Sequence, residues 1–422
     1  MPPCNFDYAH VFNAIGHTHS NDKGAHFDDY GVVESIVMTA NITGYLGSGS
    51  VIRNKQGEYI MNYSEDHSNT LDFNNQTMYF AKSTDLWEWE MVPKNINYSY
   101  NDDADNNYEN PGRLDCMAYL STEKDDGSYY GYYTANPSDT AENGGGAGFA
   151  ISLDESLTNW KALPTPGPRD PNFVGGEVGG IAKLADNEYL MVFSAGHLFT
   201  SSSPEGPFVA VDMNVNLMTP EGGANFPRIW GEPYTHKPGL VLLTHHWLSN
   251  PGVNAAVYAG LVKKLEKSEV DGVVRAVWYE ANDSLKGEEQ LNGGCDYVCM
   301  RKGVWIEGKG TDGVWIGLDG GGFKVRFDRE NGVFQHGYSN SIDGDWTTDP
   351  TNTNRGDFIK ELSDEDVSWR ALVRVSFTNN TLVEFYLNDV VGSPFTITGV
   401  ASGEFSGDIN GGVYGLTLSV DN

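Results

Sequence analysis

Apolar runs of four to seven residues alternate with clusters of Gly, Asn, Asp and Pro along most of the chain; Tyr129–Tyr133, Tyr189–Ser194, Leu240–Thr244 and Val373–Phe377 are examples. Runs of that length between turn residues predict strands. Helical periodicity is confined to Leu261–Val270 (LVKKLEKSEV), which predicts one short helix. The strands also repeat. GSVIRNKQGEYIMNY and MYFAKSTDLWEWE (49–63, 78–90) are followed by DCMAYLSTEKDDGSYYGYYTA and GFAISLDESLTNWKAL (115–135, 148–163). A third copy is GGIAKLADNEYLMVFSAG with HLFTSSSPEGPFVAV (179–196, 197–211). Each copy has a strand, a polar turn, an aromatic strand, and a strand ending in a Ser-x-Asp-like turn with Trp or Pro. Repeats of roughly 40–70 residues built from three or four strands predict propeller blades. Trp87, Trp89 and Trp160 fall at equivalent positions and read as packing residues. The start, IGHTHSNDKGAHFD (15–28), reads as the end of a further blade whose opening strands are absent.

From about Gly303 the repeat stops. Val373, Val375 and Phe377, then Val383, Phe385 and Leu387, alternate with polar residues, so one face of each strand turns inward. The expected fold class is therefore all-β: a propeller over residues 1–300 and a β-sandwich over 301–422.

Charge narrows the partners. The 422 residues hold 27 Lys and Arg against 58 Asp and Glu, a net charge of −31. A field of that sign repels phosphate backbones and anionic lipid but not a neutral sugar, so no nucleic-acid or membrane partner is expected. No apolar run approaches the ~18 residues that span a bilayer. The N-terminus, MPPCNFDYAHVF, does not read as a signal peptide. Four cysteines are too few for a disulfide scaffold, and Cys295 and Cys299 lack the second Cys/His pair of a zinc site. His17 and His19 likewise lack a third ligand, so neither metal nor cofactor is expected. Asn-x-Ser/Thr sequons occur at Asn41, Asn62, Asn75, Asn97, Asn282 and Asn379.

At this point the residues resemble glycoside hydrolase family 32. VRFDRENGVFQHGYSNS (325–341) is similar to a strand pair of that family's sandwich. VRVSFTNNTLVEFYLNDVVGSPFT (373–396) is similar to its D-x-S-x-x-E-x-F-x-N-D-G segment, with Glu384, Phe385, Asn388 and Asp389 in place. ITGYLGSGSVI (42–52) resembles the second-blade GCFSGSA stretch and keeps Ser48, Gly49 and Ser50. The resemblance implies a five-bladed propeller with an incomplete first blade, a following sandwich, and action on fructosides such as sucrose, inulin or levan. A secreted or extracellular protein is expected, with a cytosolic one as the alternative.

Two carboxylates carry the implied chemistry. The aspartate of the family's R-D-P motif falls on Asp115 in GRLDCMAYL, and the glutamate of its E-C-P-D motif on Glu177 in GGEVGGIAKL. Arg113 stands two residues before Asp115 rather than one, Cys116 replaces the proline, and Val178-Gly179-Gly180 replaces Cys-Pro-Asp. The Gly/Val setting predicts a desolvated Glu177. Glycoside cleavage needs one carboxyl to protonate the leaving oxygen and others to meet positive charge at the anomeric carbon. By resemblance, Glu177 is the acid and Asp115 the stabiliser, while Ser48 and Arg113 bind substrate. Trp247, in LVLLTHHW, is a candidate aromatic wall for a sugar face, against a structural role at a strand end. Read without the resemblance, Glu177 is a loop carboxylate in a Gly-rich turn and Asp115 a strand-start turn residue.

The family's attacking aspartate lies in a W-M-N-D-P-N-G segment, which this sequence does not contain. Asp22, Asp28 and Asp29 follow that position rather than occupy it, and little hydrolysis is expected. A fructosyltransferase, an arabinan-type furanosidase and a non-catalytic sugar-binding propeller are the alternative functions.

Overall fold

The computed structural model describes residues 16–19, 28–32, 46–47, 49–67, 75–122, 126–138, 147–168, 177–193, 196–211, 224–232, 234–249, 256–269, 272–289, 303–318, 321–328, 330, 333–339, 346–348, 367–375, 380–398, 401–407 and 412–416. These fold almost entirely as antiparallel strands, in two compact units. One comprises Met1–His19, Asp28–Val211 and Arg228–Leu242; the other, Ser20–Phe27, Asp212–Pro227 and Leu243–Asn422.

In the first unit, β1 (Gly16–His19) pairs with β2 (Asp28–Val32) as a two-stranded ribbon. Three meanders follow, one for each sequence repeat. The first holds β3 (Leu46–Gly47), β4 (Val51–Arg53), β5 (Tyr59–Asp66), β6 (Gln76–Ser83) and β7 (Glu90–Met91), with β3 and β4 both on β5. The second runs β8 (Asp115–Ser121), β9 (Tyr129–Thr134), β10 (Ala147–Ser152) and β11 (Trp160–Leu163), each beside the next. The third repeats this with β12 (Val178–Ala185), β13 (Glu188–Phe193), β14 (Leu198–Ser201) and β15 (Val209–Ala210). Sequential four-strand meanders are propeller blades.

The closing turns show why the repeat is visible in sequence. Asp85 accepts from the Trp87 and Glu88 amides, and Asp154 from the Ser156 amide. Leu86 and Leu157 take left-handed φ values of 71° and 57°. The indoles of Trp89 and Trp160 donate to those two leucine carbonyls at 3.0 and 2.9 Å. Both rings are buried. Trp87 is not the third packing residue: it stands 47% exposed on the turn, because Trp89 takes the inward place.

β16 (Ala224–Trp230) is divided between the units. β17 (Val241–Ser249), whose first two residues belong to the first unit, leads into the second, which continues with β18 (Ala256–Ala259), β19 (Lys263–Lys267), β20 (Val274–Trp278), β21 (Lys286–Glu289), β22 (Val304–Lys309), β23 (Val314–Leu318) and β24 (Gly321–Asp328). It ends with β25 (Val333–Ser339), β26 (Trp346–Thr348), β27 (Ser368–Val375), β28 (Asn380–Leu387), β29 (Val390–Thr398), β30 (Ala401–Gly407) and β31 (Gly412–Leu416). A large sheet runs in the order β17-β19-β20-β29-β28-β27-β22-β31-β21, and its β28-β27-β22-β31 part packs on a smaller one, β26-β25-β24-β23-β30. Val304, Ile306, Val373, Val383 and Phe385 from the first meet Val314, Ile316, Phe323 and Val325 from the second in one core. That is a β-sandwich, with the predicted inward positions buried. Phe377 lies outside the described residues.

Leu261–Val270 is not a helix. Its centre is β19, in register with β20 from Lys263↔Trp278 to Lys267↔Val274. LVKKLEK fits both periods, since Leu265 is four residues from Leu261 and two from Lys263. A partner strand decides for the period of two. Lys263 is thereby turned inward and fully buried. Its ammonium lies 2.9 Å from Glu384 Oε2 and 2.8 Å from His245 Nε2, and the Tyr386 hydroxyl donates to Glu384 at 2.7 Å. Gly260 makes room, because a Cβ there would sit 1.9 Å from His245 Nε2.

Two sequons are closed to glycans: Asn62 and Asn282 are buried in the fold. No helix among the described residues is long and apolar enough to cross a membrane.

Candidate active site

Asp115 and Glu177 stand at the starts of β8 and β12, the first strands of consecutive blades. Thr134 links them. It pairs with Asp115 across β8 and β9, and its hydroxyl accepts the Val178 amide at 3.0 Å. The approach to Asp115 is fastened too: the Leu114 amide donates to Gln76 Oε1 and the Tyr100 hydroxyl to the Arg113 carbonyl. Leu114 is buried, and side chains two apart on extended backbone share a face. The displacement of Arg113 by one position therefore puts its guanidinium on the same side as Asp115.

Arg113 spans the two carboxyls. Its Nη2 lies 2.9 Å from Glu177 Oε1 and 3.6 Å from Asp115 Oδ2. Those two oxygens are therefore no farther apart than the sum of the distances, 6.5 Å. Arg228 on β16 approaches from the other side, 3.9 Å from Glu177 Oε2 and 3.5 Å from Cys116 Sγ. Gly180 permits this: its φ is +139°, and a Cβ would meet the Ile229 carbonyl at 2.6 Å.

The desolvated carboxyl is Asp115, not Glu177 as the Gly/Val setting predicts. The Asp115 side chain is 3% exposed and that of Glu177 24%, and Glu177 lies beside the Arg113 and Arg228 guanidiniums. Asp115 Oδ1 accepts from the Ser64 hydroxyl at 2.5 Å and from the Cys116 amide at 2.8 Å. Burial pushes the Asp115 carboxyl above the ordinary carboxylate range and the Glu177 charge adds to this; Ser64 and Arg113 oppose it without cancelling it. An acid raised in the fold is less readily ionised there than in the unfolded chain, so its stabilising share is present at low pH and lost as pH rises past its unfolded value. Asp115→Asn is accordingly expected to raise the melting temperature at pH 7, by roughly 2 °C, and to lose that advantage toward pH 4. Calorimetric scans at both pH values check this.

Of the other sequence candidates, Ser48 lies outside the described residues. Its neighbour Ser50 is committed to the fold, donating to the Met117 carbonyl at 2.6 Å. Trp247 lies on β17, and its side chain is outside the description, as are those of His246, Asp28 and Asp29; Asp22 is outside altogether. His245 belongs to the buried Lys263–Glu384 cluster. Ser64 and Arg228 were not foreseen. Ser64 is one of four polar positions in the strand YIMNYSED and nothing beside it marks it out, and Arg228 carries no local signal. Among the described residues, no three His, Cys, Asp or Glu side chains gather as metal ligands.

No family model matches the sequence, and no curated protein matches it. Solved structures do. The β-fructofuranosidase of Bombyx mori in complex with sucrose superposes with a TM-score of 0.64 at 14% identity, over 96% of this chain and 82% of that one. An exo-inulinase from Aspergillus awamori gives 0.61 at 10% identity, over 96% and 88%. The β-fructofuranosidase of Aspergillus kawachii gives 0.62 at 11%, over 96% and 86%. The chain has the fold of glycoside hydrolase family 32, a five-bladed propeller followed by a β-sandwich.

Proposed function

We propose that this protein is a glycosidase cleaving β-fructofuranosidic bonds of the sucrose, inulin or levan type. The propeller, over residues 1–300, would be catalytic, and the sandwich, over 301–422, would follow it. The observation that carries the reading is the single Arg113 guanidinium spanning Asp115 and Glu177 on consecutive blades. The bound on their separation, 6.5 Å, lets one sugar residue reach both carboxyls. Glu177, the more open carboxyl, protonates the leaving oxygen as the glycosidic bond breaks and regains its proton from the water that finally adds to the anomeric carbon; Asp115 holds sugar hydroxyls and meets the positive charge developing there. Arg113 binds hydroxyls between them, with Ser48 and Trp247 as further sugar contacts. The surface charge of −31 suits a neutral oligo- or polysaccharide met in solution, outside the cell.

Sugar binding without turnover is a second reading, because two carboxyls bridged by one guanidinium can hold sugar hydroxyls with no group attacking the anomeric carbon. Transfer of the fructosyl group to another sugar would differ only in the acceptor. The test is fructose release from sucrose, inulin and levan by the 422-residue chain, with binding of the same sugars measured alongside. Release supports the glycosidase; binding without release supports the second reading; neither overturns both.

A further inference from the structure

The Asp115 carboxyl is held asymmetrically. Oδ1 takes two donors, the Ser64 hydroxyl and the Cys116 amide, while Oδ2 lies toward Arg113. Ser64 is fully buried near the end of β5, in a different blade from Asp115. It pairs with Gly47 across β3 and β5. A Cβ on Gly47 would come within 2.1 Å of Ser64 Oγ and 2.6 Å of Asp115 Oδ1, so any larger residue would occupy the space the hydrogen bond uses. Two strands of one blade are thus shaped around a carboxylate of the next.

We propose that Ser64 is a positioning residue for Asp115: with the Cys116 amide it holds Oδ1, so that Oδ2 is the oxygen offered to Arg113 and to a sugar hydroxyl, and Gly47 keeps the room for it. The sugar part of this inference rests on the glycosidase reading. A carboxylate free to rotate about its terminal torsion spends only part of its time with either oxygen aimed at the substrate, and a second donor removes that freedom. Supporting groups of this kind typically change affinity or activity about 10- to 100-fold when removed.

The test uses the full chain and three variants: Ser64→Ala, Ser64→Thr and Gly47→Ala. The Asp115 carboxyl is followed by carbon-13 NMR through a pH titration, and binding of an inulin-type trisaccharide by calorimetry. Ser64→Ala removes a donor to the ionised carboxyl, so Asp115 should titrate at higher pH than in the wild type. Affinity for the trisaccharide should fall about 10- to 100-fold. Ser64→Thr keeps the hydroxyl and should restore both. Gly47→Ala leaves the hydroxyl but takes its space, and should act like Ser64→Ala; it keeps the test open if Ser64→Ala does not fold. An Asp115 titration unmoved in Ser64→Ala and Gly47→Ala overturns the proposal, as does an unchanged affinity. A shifted titration in a chain that binds no fructoside upholds Ser64 as the residue that holds Asp115 and sinks the substrate reading instead.

Discussion

Glu177→Gln is expected to lower fructose release from inulin or sucrose by about 10²- to 10⁴-fold, the usual contribution of a positioned general acid. The amide keeps the size of the side chain and can still face Arg113 and Arg228, but it has no proton to give the leaving oxygen. The loss should depend on the leaving group. β-Fructofuranosyl fluoride departs as fluoride and needs no protonation, so kcat/KM for fluoride release should stay within about tenfold of the wild type, even though kcat falls because Glu177 also activates the water of the second step. Parallel kinetics on inulin and on the fluoride measure this. An equal loss of kcat/KM on both would mean that Glu177 shapes the pocket rather than supplying the proton.

The largest stability effect is expected at Lys263→Met. Lys263, Glu384 and His245 are all at most 2% exposed, and the Lys263 ammonium is the cation nearest Glu384. Burial pushes the Glu384 carboxyl up, but the Lys263 ammonium, the neighbouring His245 and the Tyr386 hydroxyl together more than reverse this and hold it well below the usual carboxylate range. Removing only the lysine leaves a buried carboxylate without its cation and should cost about 3–5 kcal/mol. Replacing both, as Lys263→Met with Glu384→Leu, should cost much less, because no unpaired charge stays behind. Urea denaturation of the two variants checks the order. The pH dependence has a definite sign. A depressed carboxyl adds stability above its unfolded value of about 4.3, and that gain is lost as pH falls through the lower folded value. Lys263→Met should therefore remove the gain that the wild type shows as pH rises through the acid range.

Much of the fold is legible in the sequence because the same local chemistry recurs. Asp85 with Trp89 and Asp154 with Trp160 build one kind of turn twice, and that turn marks the end of a strand wherever it appears. In the sandwich, the alternation of Val373 and Val375, or of Val383, Phe385 and Leu387, states directly which face is buried. LVKKLEKSEV shows where such reading stops. Its apolar positions fit two periods, and β20, a partner supplied from elsewhere in the chain, selects the strand.

The site divides in the same way. Asp115 and Glu177 are singled out by the order of motifs, Asp115 at the first residue of one repeat and Glu177 two residues before the next. Arg113 looks misplaced by one residue until extended backbone puts it on the Asp115 face. Ser64 and Arg228 reach the site through tertiary packing, via Gly47 in one case and Gly180 in the other, and nothing beside them in sequence announces it. The desolvation of Asp115 rather than Glu177 belongs to the same class, because it depends on what the neighbouring blade brings.

The central claim is that Asp115, Arg113 and Glu177 form one saccharide site. Calorimetric titration of the wild type and Asp115→Asn with an inulin-type trisaccharide tests it most directly. Binding to the wild type that weakens at least about tenfold in Asp115→Asn, or about 1.4 kcal/mol, with the fold intact, is the expected result. Equal affinity in the two proteins, or no binding to the wild type, would contradict it.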